Sequence, residues 1–260
     1  MLLAIDVGNT NTVIGGYEGE DLVCHWRVRT EKDVTEDEFG MLLKSLFSSR
    51  GKGLETVAGT IISCVVPPIV NSLNNFCTKY MGHTPTWVDA ATFKHMPILY
   101  DNPKEVGADR LVNAVAAFHK YPTSLVVVDF GTATSFDCIS HKGAYLGGAI
   151  SPGILIASEA LFQKASKLPR VEIFKKPDRI IAKDTISSMT AGIIYGYAGL
   201  VDGIVRRIKE EMSVKPKVVV TGGLADLMAD VAQTIDIVEP HLTLEGLRII
   251  YSEICSVNTQ

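Results

Sequence analysis

The chain has no block of like charge, no paired-cysteine motif and no unbroken apolar run of bilayer length, and each absence removes a class of function. Its 25 Lys and Arg stand against 29 Asp and Glu, a net charge of -4, so a basic nucleic-acid face is not expected. Five cysteines, at 24, 64, 77, 138 and 255, show no C-x-x-C spacing. They read as scattered reduced thiols, neither zinc ligands nor a disulfide framework. An odd count without a framework fits a reducing compartment, and Asp6 stands where a signal peptide needs apolar residues, so the expected location is cytoplasmic. The longest apolar segment, 57–70, is broken by Thr60, Ser63 and Pro67-Pro68, and no membrane span is expected. The P-loop string, a G-x-G-x-x-G after a strand and the G-x-S-x-G elbow are also missing, which excludes three common nucleotide and hydrolase sites. The six histidines are scattered, with no H-x-x-x-H pair.

What is present is a repeated unit. Leu2-Leu3-Ala4-Ile5 closes on Asp6-Val7-Gly8-Asn9-Thr10, and Val13-Ile14-Gly15-Gly16-Tyr17 resumes, the pattern of strand, turn, strand. Leu125-Val126-Val127-Val128 closes on Asp129-Phe130-Gly131-Thr132-Ala133-Thr134, and Ser135-Phe136-Asp137-Cys138-Ile139 follows. At an offset of 123, Asp6 meets Asp129, Gly8 meets Gly131, Asn9 meets Thr132 and Asn11 meets Thr134. A repeat this long points to two related domains rather than stacked small modules. The expected division is 1–120 and 121–260, with a cleft between the halves.

Between and after these units the pattern is α/β. Apolar residues at Phe39, Leu42, Leu43, Leu46 and Phe47 predict a helix over 36–47. Residues 57–66 read as a buried strand, 68–80 as a helix, 86–88 as a strand, and 111–119 as a helix opening at the Gly107-Ala108-Asp109-Arg110 turn. In the second half, helices are predicted over 154–164 and 187–212 and a strand at 218–220, leading through Thr221-Gly222-Gly223 into a further helix. Gly192, Gly196, Gly199 and Gly203 within the long helix suggest close approach of another backbone, in the same or a second subunit.

The chemistry-bearing residues cluster at the turns. Asp6 to Val13 (Asp6, Val7, Gly8, Asn9, Thr10, Asn11, Thr12, Val13) offers a carboxylate, backbone N–H groups and small hydrogen-bonding side chains, able to hold phosphate, with Asp6 on Mg²⁺ directly or through water. An ordinary polar hairpin capped by Asp6 reads the same string. Asp129, Thr132 and Thr134 make a second such surface. Thr221-Gly222-Gly223 would let a flat ring lie on backbone, which suits adenosine, although Gly-Gly after a strand is also a common turn.

Taken in order, Asp6-Val7-Gly8-Asn9-Thr10, Gly107-Ala108-Asp109-Arg110, Asp129-Phe130-Gly131-Thr132-Ala133-Thr134, Gly147-Gly148-Ala149-Ile150-Ser151-Pro152-Gly153 and Thr221-Gly222-Gly223 resemble the motif set of type III pantothenate kinase. The similarity runs over nearly the whole chain, to Leu242-Thr243-Leu244-Glu245-Gly246-Leu247-Arg248. It implies the duplicated actin-like, ribonuclease H-like fold of the acetate and sugar kinases, a homodimer, and ATP-dependent phosphorylation of pantothenate in coenzyme A synthesis. It further implies Asp109 as general base, Gly107, Ala108, Arg110, Tyr100 and Thr185 as pantothenate contacts, Mg²⁺ with ATP, and K⁺ or ammonium at Asp129. The 147–153 string resembles the family's subunit interface, or is a plain loop. Asp109 also reads as a helix N-cap, Tyr100 as a packed aromatic and Thr185 as a helix start. A nucleotide-binding regulator on the same scaffold, or a kinase for another small hydroxyl compound, would share the loops; an intact Gly107-Ala108-Asp109-Arg110 favours the pantothenate enzyme.

Overall fold

The computed structural model describes residues 1–89 and 94–257. The chain forms two compact units. The first comprises Met1–His95, Asp101–Ala116 and Thr243–Gln260; the second comprises Met96–Tyr100 and Ala117–Leu242. The division therefore differs from a cut at residue 120, because the last helix returns to the first unit and a five-residue segment before Asp101 belongs to the second.

In the first unit, β1 (Leu2–Val7), β2 (Asn11–Glu18) and β3 (Asp21–Arg29) form an antiparallel meander, and β4 (Gly59–Cys64) and β5 (Thr86–Trp87) add parallel to β1, giving the order β3-β2-β1-β4-β5. Leu3, Ala4 and Ile5 are all fully buried, so β1 is covered on both faces and reads as a continuous apolar run. Helix α1 (Glu36–Ser48) begins at a capping box: Thr35 Oγ1 accepts from Glu38 N, and Glu38 Oε2 accepts from Thr35 N. Its buried Phe39, Leu43 and Phe47 recur at helical spacing and join Leu3, Ile5 and Val7 in one core. The 68–80 stretch is helical in three pieces: a 3₁₀ turn at Pro67–Ile69, α2 (Val70–Phe76) and a π turn at Cys77–Met81.

Helix α3 (Ala108–Lys120) and the terminal helix, called α7 below in chain order (Leu242–Val257), meet in this unit through their first halves. A Cβ at Gly246 would lie 2.2 Å from Val112 O, and Thr243 Oγ1 donates to Asn113 Oδ1 at 2.7 Å. Gly246→Ala is thus expected to lower stability by about 1–3 kcal/mol, since backbone must move to admit the methyl; urea unfolding of the two proteins measures it.

The second unit repeats the plan. Strands β6 (Leu125–Phe130), β7 (Ala133–Ile139) and β8 (Tyr145–Pro152) form the meander, and β9 (Lys217–Gly222) and β10 (Ile237–Val238) complete the order β8-β7-β6-β9-β10. Even the β-bulge recurs, between Gly16 and Tyr17 in one unit and Cys138 and Ile139 in the other. Each sheet opens with three antiparallel strands, to which the later strands add in parallel. Strand β8 also places the 147–152 string in a sheet rather than a loop.

Helices α4 (Ile154–Lys164), α5 (Thr185–Glu211) and the short α6 (Ala225–Ala229) belong to this unit. α5 is 27 residues long and apolar enough to cross a membrane by length and composition. Its Met189, Ile194, Val201 and Val205 lie in the second core, and its buried Asp202 accepts backbone N–H bonds from Gln233 and Thr234. These contacts are those of a core helix with a satisfied buried acid.

Candidate active site

Both inner strands end on an acid followed by a tight turn. In the first unit Gly8 N donates to Asn11 O at 3.1 Å, and a Cβ on Gly8 would sit 3.0 Å from that oxygen. In the second, Gly131 N donates to Ala133 O at 3.1 Å. The strands then pair Val7 with Thr12 and Phe130 with Thr134. The second turn is one residue shorter, which corrects the constant offset of 123: Thr10 corresponds to Thr132, Asn11 to Ala133 and Thr12 to Thr134.

That correction separates the side chains by role. Asn9 and Thr10 are exposed at the first turn, and Asp6, Gly8, Asn11 and Val13 are half-buried. Val7 is buried, and so is Thr12, whose hydroxyl hydrogen-bonds Thr30 Oγ1 at 2.9 Å while Thr30 donates to Gly8 O at 2.8 Å. Thr12 and Thr30 therefore brace the turn from inside, and Asn9 and Thr10 stay exposed at its tip. Thr30 is absent from the sequence expectations; its link to the turn depends on the return of β3.

In the second unit Gly153 occupies Thr30's place. Its N donates to Thr132 O at 3.1 Å, as Thr30 N does to Thr10 O at 3.0 Å. With no hydroxyl at 153, the buried Thr134 Oγ1 has no hydrogen-bond partner. A Cβ at Gly153 would lie 2.3 Å from Thr132 O and 2.6 Å from Gly131 O. Thr132 itself is half-buried.

Each acid is also in register with a hydroxyl residue on the parallel neighbour, Asp6 with Ser63 and Asp129 with Thr221. Ser63 is fully buried and its Oγ lacks a partner; no sequence motif marks it, because the pairing is long-range. Gly222 has φ +95°, and a Cβ there would lie 2.5 Å from Asp129 Oδ1 and 2.7 Å from Phe130 N and O. The glycine is needed for both conformation and space. Thr221 is buried and Gly223 exposed, so the Thr221-Gly222-Gly223 string brings a bare backbone against Asp129.

These groups suit hard cations. Asp129 supplies a single carboxylate beside two glycine backbones, a Cβ on Gly131 lying 3.7 Å and one on Gly222 2.5 Å from its Oδ1, an oxygen donor of low charge for a cation. Asp6 supplies a single half-buried carboxylate, which fits a Mg²⁺ that keeps several waters and takes its remaining ligands from phosphate. Among the described residues no group of three or more His, Cys, Asp or Glu could hold a metal unaided.

Helix α3 starts at Ala108, placing Asp109 inside the first turn and Gly107 before it. Asp109 Oδ1 accepts from Arg110 N at 2.9 Å, and a Cβ on Gly107 would lie 2.5 Å from that same oxygen. Burial raises the Asp109 carboxyl pKa, against a smaller lowering from the Arg110 amide and guanidinium. Gly107, Ala108, Asp109 and Arg110 are all half-buried. A carboxylate so held is oriented by the helix N-terminus yet is a stronger base than an exposed Asp.

Tyr100 lies in the second unit, half-buried, with its ring 6.4 Å from that of Tyr145. Thr185 is the exposed first residue of α5, after the N-cap Asp184, whose Oδ1 accepts from Ser187 N. Asp137, without a motif in the sequence, is fully buried and accepts from both Ser135 Oγ and Tyr145 Oη.

Two copies of one α/β unit with an acid-and-glycine turn at each inner strand define the fold of the actin-like ATPases and sugar kinases. A ROK hexokinase from Thermus thermophilus superposes with a TM-score of 0.51 at 15% identity, covering 97% of this chain and 99% of that one. A chain from Campylobacter jejuni described as a conserved Baf family transcriptional activator gives 0.62 at 19% identity, covering 98% and 99%. At such identities the likeness is one of fold alone. The sequence is more specific: a family model for type III pantothenate kinase matches residues 2–207. The type III pantothenate kinase of Desulfatibacillum aliphaticivorans is 63% identical over 98% of this chain and 99% of its own, and that of Geobacter sulfurreducens 57% identical over 96% and 98%. The chain belongs to the type III pantothenate kinase family.

Proposed function

We propose that this protein transfers the γ-phosphoryl group of ATP to the primary hydroxyl of pantothenate, yielding 4′-phosphopantothenate and ADP at the first step of coenzyme A biosynthesis. The observation that carries the reading is Asp109 in an intact Gly107-Ala108-Asp109-Arg110 turn, its carboxyl pKa raised by burial, within a chain of this family. A regulator that only bound nucleotide would have no use for such a base, and the curated relatives at this level of identity are kinases.

Phosphoryl transfer asks for positioning and charge neutralisation more than covalent chemistry. The pantothenate oxygen forms its bond to the γ-phosphorus as the bond to the β–γ bridging oxygen breaks. Asp109 takes the hydroxyl proton as that nucleophile commits. Arg110 provides a forked cation for the pantothenate carboxylate, and Tyr100 and Thr185 complete the acceptor contacts. On the nucleotide side, the exposed amides of the Gly8–Asn11 turn with Asn9 and Thr10, and those of the Gly131 turn with Thr132, hold phosphate oxygens; Thr221, Gly222 and Gly223 face the adenosine. Mg²⁺ at Asp6 and K⁺ or ammonium at Asp129 supply neutralising charge when bound. The ribonuclease H-like form of the fold and a cytoplasmic location belong to the same reading.

The homodimer is supported by large apolar side chains left exposed in the second unit. Ile150, Leu155, Ile156, Leu161, Phe162 and Ile186 are exposed, and a Cβ on Gly192, Gly196 or Gly199 of α5 would meet nothing within 4 Å beyond the local helix backbone. The glycines thus serve no close approach among the described residues, and a second copy is the occupant expected. Gel filtration with light scattering is expected to give twice the chain mass. The activity is tested by incubating the protein with ATP, Mg²⁺, K⁺ and pantothenate and weighing the product by mass spectrometry. A gain of one phosphate on pantothenate is expected; transfer only to other small alcohols would overturn the acceptor assignment.

A further inference from the structure

The two units differ sharply at one buried place. Where β7 carries Ser135 and Asp137, the corresponding positions of β2 are Val13 and Gly15, and where β8 carries Tyr145, β3 has Leu22. In the first unit the gap over Gly15 is filled by Leu244 and Leu22, whose Cδ1 atoms would lie 2.8 and 3.0 Å from a Cβ there. In the second, the same place holds a hydrogen-bonded chain: Ser135 Oγ donates to Asp137 Oδ2 at 3.0 Å and Tyr145 Oη to Asp137 Oδ1 at 2.7 Å. Asp137 and Tyr145 are both 0% exposed. An apolar filling suffices for the fold, as the first unit demonstrates, and burying a carboxylate is costly unless its oxygens are satisfied. The polar version answers some demand other than folding.

That demand is found on the outer side of Tyr145. Residues 96–100 leave the first unit to form a parallel bridge beside it: Tyr145 N donates to Pro97 O and Leu99 N to Tyr145 O, each at 2.8 Å. The next residue is Tyr100, whose ring packs at 6.4 Å from the Tyr145 ring, tilted by 55°. Its other neighbour is Gly147, with φ +109°, where a Cβ would stand 3.3 Å from Tyr100 Cδ2 and Cε2. Main chain, ring and a bare backbone thus fix one tyrosine, and two of the three, the bridge and the ring contact, are made by Tyr145 itself.

We propose that Tyr145, anchored by Asp137 and Ser135, is a positioning residue that sets the ring of Tyr100 for the pantothenate acceptor. The inference rests on the reading above that Tyr100 touches pantothenate. Tyr145 and Asp137 touch no substrate; they act through Tyr100, so their loss should weaken acceptor binding while sparing nucleotide use and the proton transfer at Asp109.

The test uses the full-length protein labelled with 3-fluorotyrosine, with the Tyr100 signal assigned by its loss in Tyr100→Phe. In Tyr145→Phe, which removes only the hydroxyl that Asp137 accepts from, the Tyr100 ¹⁹F line is expected to shift or broaden. The KM for pantothenate is expected to rise about tenfold, with kcat and the KM for ATP within about twofold of the parent. If that variant does not fold, Gly147→Ala presses on the same ring from the other side and should produce the same pair of changes. An unmoved fluorine line in the folded variant overturns the inference, whatever the substrate proves to be. A shifted line with unchanged pantothenate KM also overturns it if Tyr100→Ala raises that KM. Should Tyr100→Ala leave the pantothenate KM unchanged, the acceptor contact itself fails and the inference falls with it.

Discussion

Asp109→Asn is expected to lower turnover by on the order of 10²- to 10⁴-fold, the span that loss of a positioned general base produces, while nucleotide binding persists. Asn keeps the oxygen that accepts from Arg110 N, so the helix start survives and only basicity goes. The measurement is single-turnover phosphorylation beside nucleotide binding followed by NMR; a variant that turns over at the parent rate removes Asp109 from the mechanism. The pH profile carries the same information. Because burial raises the folded pKa, activity falls as pH drops through that raised value, so the acid limb lies above the ordinary Asp pKa of about 3.9. The linkage sign is opposite for stability: between the unfolded and folded pKa values the native state binds more protons, so this group's contribution falls as pH rises. At neutral pH the buried charge destabilises, and Asp109→Asn is expected to melt higher than the parent while being the poorer enzyme.

Replacing K⁺ by Na⁺ is expected to reduce the pantothenate kinase rate by about tenfold or more, and Asp129→Asn to remove the difference between the two salts. The physical ground is the asymmetry of the turns. Thr30 closes the first from within through its bond to Gly8 O, whereas the second has glycine at 153 and its Asp129 carboxylate lies against bare Gly222. Loss of one preorganised charge at a phosphoryl-transfer site has effects of this size or larger. Equal rates in both salts, or an Asp129→Asn enzyme that still distinguishes them, would remove the cation from Asp129. Tryptophan fluorescence or thermal shift with each chloride salt reports binding separately from rate.

Much of this protein is legible in the sequence because its information is local. Strand-turn-strand at Asp6 and Asp129, helix α1 from its apolar spacing, and α4 from its pattern need only neighbouring residues. So does the existence of the repeat. What the sequence placed less well depends on pairing at a distance. A constant offset of 123 overlays Asn11 on Thr134, and only the strand register, with its shorter second turn, matches Thr12 to Thr134 and Thr30 to Gly153. The 147–152 string has alternating small residues that suit a loop as well as a strand, and its partner β7 decides the matter.

The sequence by itself determined the family, the duplicated α/β plan and the chemistry at hand: two acid-and-glycine turns and one acid opening a helix. Those follow from residue types at fixed spacing, which the backbone reads directly. Tertiary structure alone decided which of the small hydroxyls brace a turn and which face outward, that Gly246 seats the last helix on Val112, and that Asp137 is buried beneath Tyr145. Burial and hydrogen-bond partners are properties of strands brought together from distant parts of the chain, and no local pattern carries them.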